Sequence, residues 1–223
     1  AVLDKSEAPG PGEPIPLAAH WTYFGPTVPQ SQIGSDGHPQ RKGFLPPIVQ
    51  PRRMWAASDI TFLSDIRIGN LVTKTARIAD ISEKQGKTGS LIFVNVDNRY
   101  HVEDREVLSE TQTLVYRDHP SPGEASPVAK AAPTEAAWSH RIDPDPALLF
   151  RYSAVTFNAH RIHYDEPYAT REEGYPGIVV HGQLTATLLL DQFRMRFPDR
   201  PIRSFNFRAV KPLFSGKPFF LEG

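Results

Sequence analysis

The sequence predicts an α+β protein in which an antiparallel sheet wraps around one buried helix. Three observations carry that prediction. Residues 66–118 alternate apolar and polar positions and favour β-branched and aromatic types, the pattern of half-buried strands. The run "VVHGQLTATLLLDQFRMRF" (179–197) carries Leu184, Ala186, Leu188, Leu189, Leu190 and Phe193, apolar around most of a helix circumference, which implies burial on all sides. Strand-like text then resumes in "PIRSFNFRAVKPLF" and "PFFLEG", so strands, helix and strands share one layered core.

Taken in order, residues 1–16 are rich in Pro, Gly and Glu and predict an extended, poorly ordered lead-in. The chain starts with Ala and shows no apolar core of a signal peptide, so its N-terminus reads as a trimmed boundary. "HWTYF" (20–24) offers aromatic anchors, and "GSDGHPQRKG" (34–43) is dense with turn residues. Prolines keep 43–51 extended, and a short helical turn is expected from Arg52, because Pro suits a first helical position. "KQGKTG" and "VDNRYHVEDRE" divide 66–118 into at least three antiparallel strands. "HPSPGEASPVAKAAPTEAA" (119–137) holds hardly any large apolar residue and reads as a linker. "ALLFRYSAVTF" (147–157) reads as a strand, and the last strands of the second sheet are expected beyond residue 223.

Composition narrows the function. The 223 residues include 25 basic and 25 acidic side chains, a formal net charge of +0, which gives no electrostatic footprint for nucleic acid or anionic membrane. The absence of cysteine excludes disulfides, thiolate metal sites and thiol nucleophiles, and no apolar run reaches the roughly 18 residues of a membrane helix. The 22 prolines predict many loops. No G-x-S-x-G, Walker or Rossmann fingerprint appears.

The chemistry concentrates in "FNAHRIHYDEPYA" (157–169), whose polar loop 158–165 comes about 17 residues before the start of the buried helix. That helix opens with "HGQ". Helix N-termini expose unpaired amides and partial positive charge. Gly182 leaves room for a substrate oxygen there, while a nearby histidine can move a proton at neutral pH. Each residue also has a structural reading. His160 could cap or pack its loop, His181 could close the loop before the helix, and Gly182 could be only a helix-start glycine. His160, His163, Asp165 and His181 are legitimate metal-ligand types, yet the H-x-x-H spacing is not the helical pair of a zinc protease. Arg52 and Arg53 could open a helix or, like Arg208 and Lys211, meet phosphates.

The loop resembles the signature of MaoC-like (R)-specific enoyl-thioester hydratases, a hot dog fold family whose motif reads roughly D-x-N-P-L-H. The motif's His falls on His163, its Asn on His160 and its Asp on Asn158. "RYSAVTFNAHRIHYD" together with "DGHP", "GFLPP", "PRRMW" and "LVYRD" is similar to the fatty-acid-synthase-type dehydratase subgroup. The resemblance spans nearly the whole chain. It implies a double hot dog: residues 1–118 as a degenerate half with a short or degenerate helix that helps form the acyl tunnel, 119–140 as linker, and 141–223 as the catalytic half.

What it further implies is reversible hydration of an enoyl thioester. Gly182 would hold the thioester oxygen, His163 would carry the proton, and Asn158 would orient hydroxyl or water. Asn158 departs from the motif's Asp and cannot accept a proton as a carboxylate does, which shifts the load to His163. Asp165 is a candidate to fix the His163 tautomer, with His160 and His181 in support. No metal or redox cofactor is expected; coenzyme A or acyl carrier protein arrives with the substrate. A homodimer is expected by resemblance, or a monomer, since a double hot dog already supplies two sheets. The expected compartment is bacterial cytoplasm or mitochondrial matrix. Three rivals remain: hydration of mesaconyl-C4-CoA, which requires a cation for the free carboxylate; a non-catalytic thioester-binding subunit; and thioester hydrolysis.

Overall fold

The computed structural model describes residues 2–41, 43–86, 89–119 and 135–223. Four long strands follow one another: β1 (Arg52–Phe62), β2 (Val72–Gly86), β3 (Gly89–Val102) and β4 (Arg105–Arg117). Past the linker come β5 (Ser139–Ile142), α1 (Pro146–Thr156), α2 (Glu166–Arg171), α3 (Gly182–Arg196), β6 (Ser204–Arg208) and β7 (Phe219–Glu222). The large sheet is antiparallel in the order β2-β3-β4-β1-β6, and β5 pairs with β7 in a second, two-stranded sheet. Strand β6 thus joins β1 from the far side of the linker, so one sheet draws on both parts of the chain. Residues 120–134, most of the expected linker, lie outside the described residues.

Alternation explains which face is buried. Across β1 and β4, Ser58 and Ile60 stand opposite Gln112 and Glu110, while Arg53 and Trp55 stand opposite Tyr116 and Leu114. A bulge between Trp55 and Ala57 inserts the extra residue that lets both pairs share the inner face. That face meets α3 through Ala186 and Leu190, which pack with Ile60, Tyr100, Val107 and Leu108. The opposite side of α3 presents Leu184 and Leu188 to Leu149 and Tyr152 of α1 and to Phe219 and Leu221 of β7. Two i, i+4 pairs on opposite sides account for the all-round apolar pattern.

Three sequence expectations are corrected. "ALLFRYSAVTF" is helical, not extended: Asp145 caps it by accepting from the Leu148 amide at 2.7 Å, Pro146 opens the first turn, and Leu149, Tyr152, Ser153 and Thr156 bury one stripe. Residues from Arg52 form a strand rather than a helical turn, because β4 offers a ladder to Arg52–Trp55 and β6 adds a second from Ala57 onward. The lead-in is pinned, with the Gly12 and Ile15 amides donating to the Ile68 and Ile66 carbonyls and Val2 and Leu3 packed on the α1–α3 core. In the anchor segment, Trp21 and His20 are buried on Glu110; both Trp21 Nε1–H and Ser58 Oγ–H donate to that carboxylate. Among the described residues, the N-terminal part holds no α-helix, only single 3-10 turns at Ala19–Thr22 and Gln30–Gln32.

Candidate active site

The loop between α1 and α3 is held on three sides. Helix α1 ends at Phe157, whose φ of 51° turns the chain sharply, and the Asn158 amide donates back to the Ser153 carbonyl at 2.9 Å. The Asn158 side-chain oxygen accepts from the His160 amide at 3.1 Å, a local turn that leaves the side-chain NH2 as its remaining donor. A 3-10 turn, Arg161–His163, follows and is tied to the approach to α3, where the Val179 amide donates to the Ile162 carbonyl at 2.9 Å.

His163 is buried, and its Nδ1–H donates to the Val179 carbonyl at 2.7 Å. That bond fixes the tautomer and leaves Nε2 as the proton-accepting nitrogen. The His163 ring stacks on His181 with centroids 3.6 Å apart, and His160 meets it edge-on at 5.5 Å. His181 Nε2 is bonded to Ser153 Oγ at 2.8 Å, while its buried Nδ1 has no partner among the described residues. Removal from water lowers the His163 pKa to about 4 and lowers those of His160 and His181 strongly. All three rest as neutral imidazoles.

His181 is also the N-cap residue of α3 and gives its first turn no side-chain cap. The first-turn amides therefore remain donors beside the histidines. A Cβ at Gly182 would come within 2.8 Å of the Trp55 ring, so glycine is required here for close packing against β1.

Similarity to known proteins accords with this arrangement. The sequence model of the family "hydroxyacyl-thioester dehydratase type 2" matches residues 18–215. The chain belongs to that dehydratase family. It is similar to mesaconyl-C(4)-CoA hydratase of Chloroflexus aurantiacus, 48% identical over 216 residues that make up 97% of this chain and 77% of the relative. Among solved structures it resembles HtdX of Mycobacterium tuberculosis, with a TM-score of 0.66 and 22% identity over 93% of this chain and 77% of that one. It also resembles a second protein of that organism described as a double hot dog fold, with a TM-score of 0.54 and 15% identity over 95% of this chain and 69% of the other. The fold is a double hot dog.

In this dehydratase-family chain the other sequence-picked residues are more dispersed. Asp165 pairs with Arg161 at 2.7 Å and caps α2 by accepting from the Tyr168 amide; the Val179 carbonyl, not Asp165, bonds His163. Arg52 is buried in an ion pair with Glu173 at 2.8 Å and lies over the Tyr175 ring, so its charge is already met. Arg208 and Lys211 lie at exposed positions, Arg208 on the outer sheet face beside Ala57. Arg53 faces inward with Trp55.

Sequence reasoning missed Asp36 and His38 as site residues. His38 donates to Asp36 through both its amide and its Nδ1–H, each at 2.9 Å, and its ring lies 4.0 Å from that of His160. The Asp36 carbonyl accepts from the Arg161 amide at 2.9 Å, which docks this turn on the 158–163 loop. Gly37, with φ of 89°, sits so close that a Cβ would overlap the Ala159 carbonyl. Desolvation lowers the His38 pKa to about 4, against the opposing pull of Asp36. The signal was "DGHP" itself: an acid and a histidine flanking a glycine. Asp36, His38 and His160 present nitrogen and oxygen atoms that lie within 4.8 Å of one another, so these three, rather than the four weighed from sequence, form the nearest approach to a metal-ligand set among the described residues.

A cavity of about 930 Å³ lies elsewhere, lined by Leu17, Phe62, Ile66, Met195 and Ile202 among others. Met195 is near the far end of α3, about 20 Å from Gly182 at 1.5 Å per residue.

Proposed function

We propose that the protein is a hydro-lyase that reversibly adds water to a 2-enoyl thioester to give the 3-hydroxyacyl thioester. The observation that carries this reading is the buried, tautomer-fixed His163 stacked at the uncapped start of α3. In the dehydration direction the thioester oxygen accepts from the Gly182 amide, with His181 Nδ1–H as a second donor. His163 Nε2 takes the α-proton, and the C–H electron pair forms the enolate held by those donors. The pair then makes the Cα–Cβ double bond as the C–O bond breaks, and His163 returns its proton to the departing hydroxyl as water. Hydration runs the same steps backwards. The Asn158 NH2 and the Asp36–His38 pair orient the hydroxyl or water. Desolvation suits the task, since a neutral imidazole is the form that accepts a proton.

The thioester acidifies the α-carbon, so this reading assigns no step to a metal; coenzyme A or acyl carrier protein belongs to the substrate. Hydration of mesaconyl-C4-CoA is favoured as the specific reaction by the 48% identical relative. The test is loss of enoyl absorbance with a panel that includes crotonyl-CoA and mesaconyl-C4-CoA, with and without chelator. Turnover that survives chelation is expected. Binding without turnover would instead support a non-catalytic thioester-binding subunit, and release of free thiol would support hydrolysis.

A further inference from the structure

Two guanidinium groups stand beside the histidines with no carboxylate in ion-pair contact among the described residues. Arg53 lies on the inner face of β1, one strand repeat (about 7 Å) from Trp55, whose ring packs on Gly182. Its cross-strand neighbour is the fully buried Tyr116. Arg41 lies over that same tyrosine ring at 5.4 Å and donates only to main-chain carbonyls, those of Ile48 at 2.7 Å, Gln50 and Pro51. The acid whose charge acts on Arg53 is Asp36, which already accepts two hydrogen bonds from His38. Arg52, by contrast, has its own buried carboxylate in Glu173 on the opposite face. Removal from water lowers the Arg53 pKa, and Tyr116 and Asp36 offset that desolvation only in part, so the site holds cationic charge beside no paired carboxylate among the described residues.

We infer that Arg53, backed by Arg41, receives the free carboxylate of a dicarboxylic acyl thioester and so sets substrate choice at the site. This rests on the hydratase reading and narrows it. An anion here has two sources, the acyl group or the phosphates of coenzyme A. Position favours the acyl group: Arg53 shares a face with the residue touching Gly182, and its charge is felt at His38 and His160. The phosphates are separated from the thioester by the whole pantetheine arm. A carboxylate near the β-carbon would instead lie within reach of both the guanidinium and the histidines, and Arg offers it a bidentate fork.

The test compares mesaconyl-C4-CoA with crotonyl-CoA as substrates, and succinyl-CoA with butyryl-CoA as unreactive inhibitors, for wild type, Arg53→Met and Arg53→Lys. The kcat/KM ratio of the first pair should fall by roughly 10–100-fold in Arg53→Met and less in Arg53→Lys. Succinyl-CoA should lose its binding advantage over butyryl-CoA in parallel. Equal losses for both members of each pair would place Arg53 on the coenzyme phosphates or in the fold, and would overturn the inference. If Arg53→Met does not fold, an unchanged ratio in a folded Arg53→Lys together with no wild-type preference for succinyl-CoA does the same. A wild type that turns over neither substrate but binds succinyl-CoA through Arg53 would sink the hydratase reading and leave the carboxylate site standing.

Discussion

Burial sets the working form of His163. Its Nδ1–H is committed to the Val179 carbonyl, and desolvation holds its pKa near 4, so Nε2 stays an available base across the neutral range. A base works unprotonated, so activity should be lost only as pH falls through that low value. The acid limb of kcat/KM should therefore have an apparent pKa nearer 4 than 6.5. A limb near 6.5 in a protein still folded at that pH would show that a solvated histidine carries the proton. His163 was legible in sequence from its motif and its distance to the helix. Its partner was not: the carboxylate closest in sequence, Asp165, is taken by Arg161, whereas a main-chain carbonyl 16 residues away fixes the imidazole. Main-chain acceptors leave no mark in side-chain types.

At the scale of elements, the turn at 34–38 matters as much as the helix entrance. It carries Asp36 and His38 into the site and is docked by main-chain bonds, with Gly37 against Ala159. Gly37→Ala should cost roughly 1–3 kcal/mol in stability for the strained backbone position alone, and more because its Cβ would push the turn off the Ala159 carbonyl. In denaturant melts paired with kinetics, kcat should fall while the protein remains folded at neutral pH. Unchanged kcat would remove the Asp36–His38 turn from the mechanism. Helix α3 and strands β2 to β4 could be read from periodicity, because each repeats its pattern over many residues. Helix α1 could not: "LLFRYSAVT" has aromatic and β-branched residues that suit a strand, and the capping Asp145 and Pro146 overrode that preference. "PRRMW" misled in the opposite direction, since tolerance of Pro at a helix start does not outweigh the ladder that β4 offers to Arg52–Trp55.

Over the whole molecule, the large sheet unites strands from before and after the linker, and the site forms where the 34–38 turn, the 158–163 loop and the start of α3 converge. Such convergence depends on contacts far apart in sequence, which explains why Asp36 and His38 read only as turn residues. The same assembly buries several neutral histidines. His38 and His163 have folded pKa values of about 4 against an unfolded value of 6.5, so the unfolded chain binds more protons between those limits. Their contribution to stability is complete above pH 6.5 and is lost as pH falls towards 4. Urea midpoints should decline across that window; a flat profile would contradict buried neutral imidazoles.

The central claim, that His163 carries the proton in thioester hydration, is tested most directly by following crotonyl-CoA and mesaconyl-C4-CoA through the enoyl absorbance with wild type and His163→Ala. Wild type should hydrate at least one of them, and the variant, folded by circular dichroism, should show kcat lower by roughly 10²–10⁴-fold. A folded His163→Ala that turns substrate over at the wild-type rate would contradict the account.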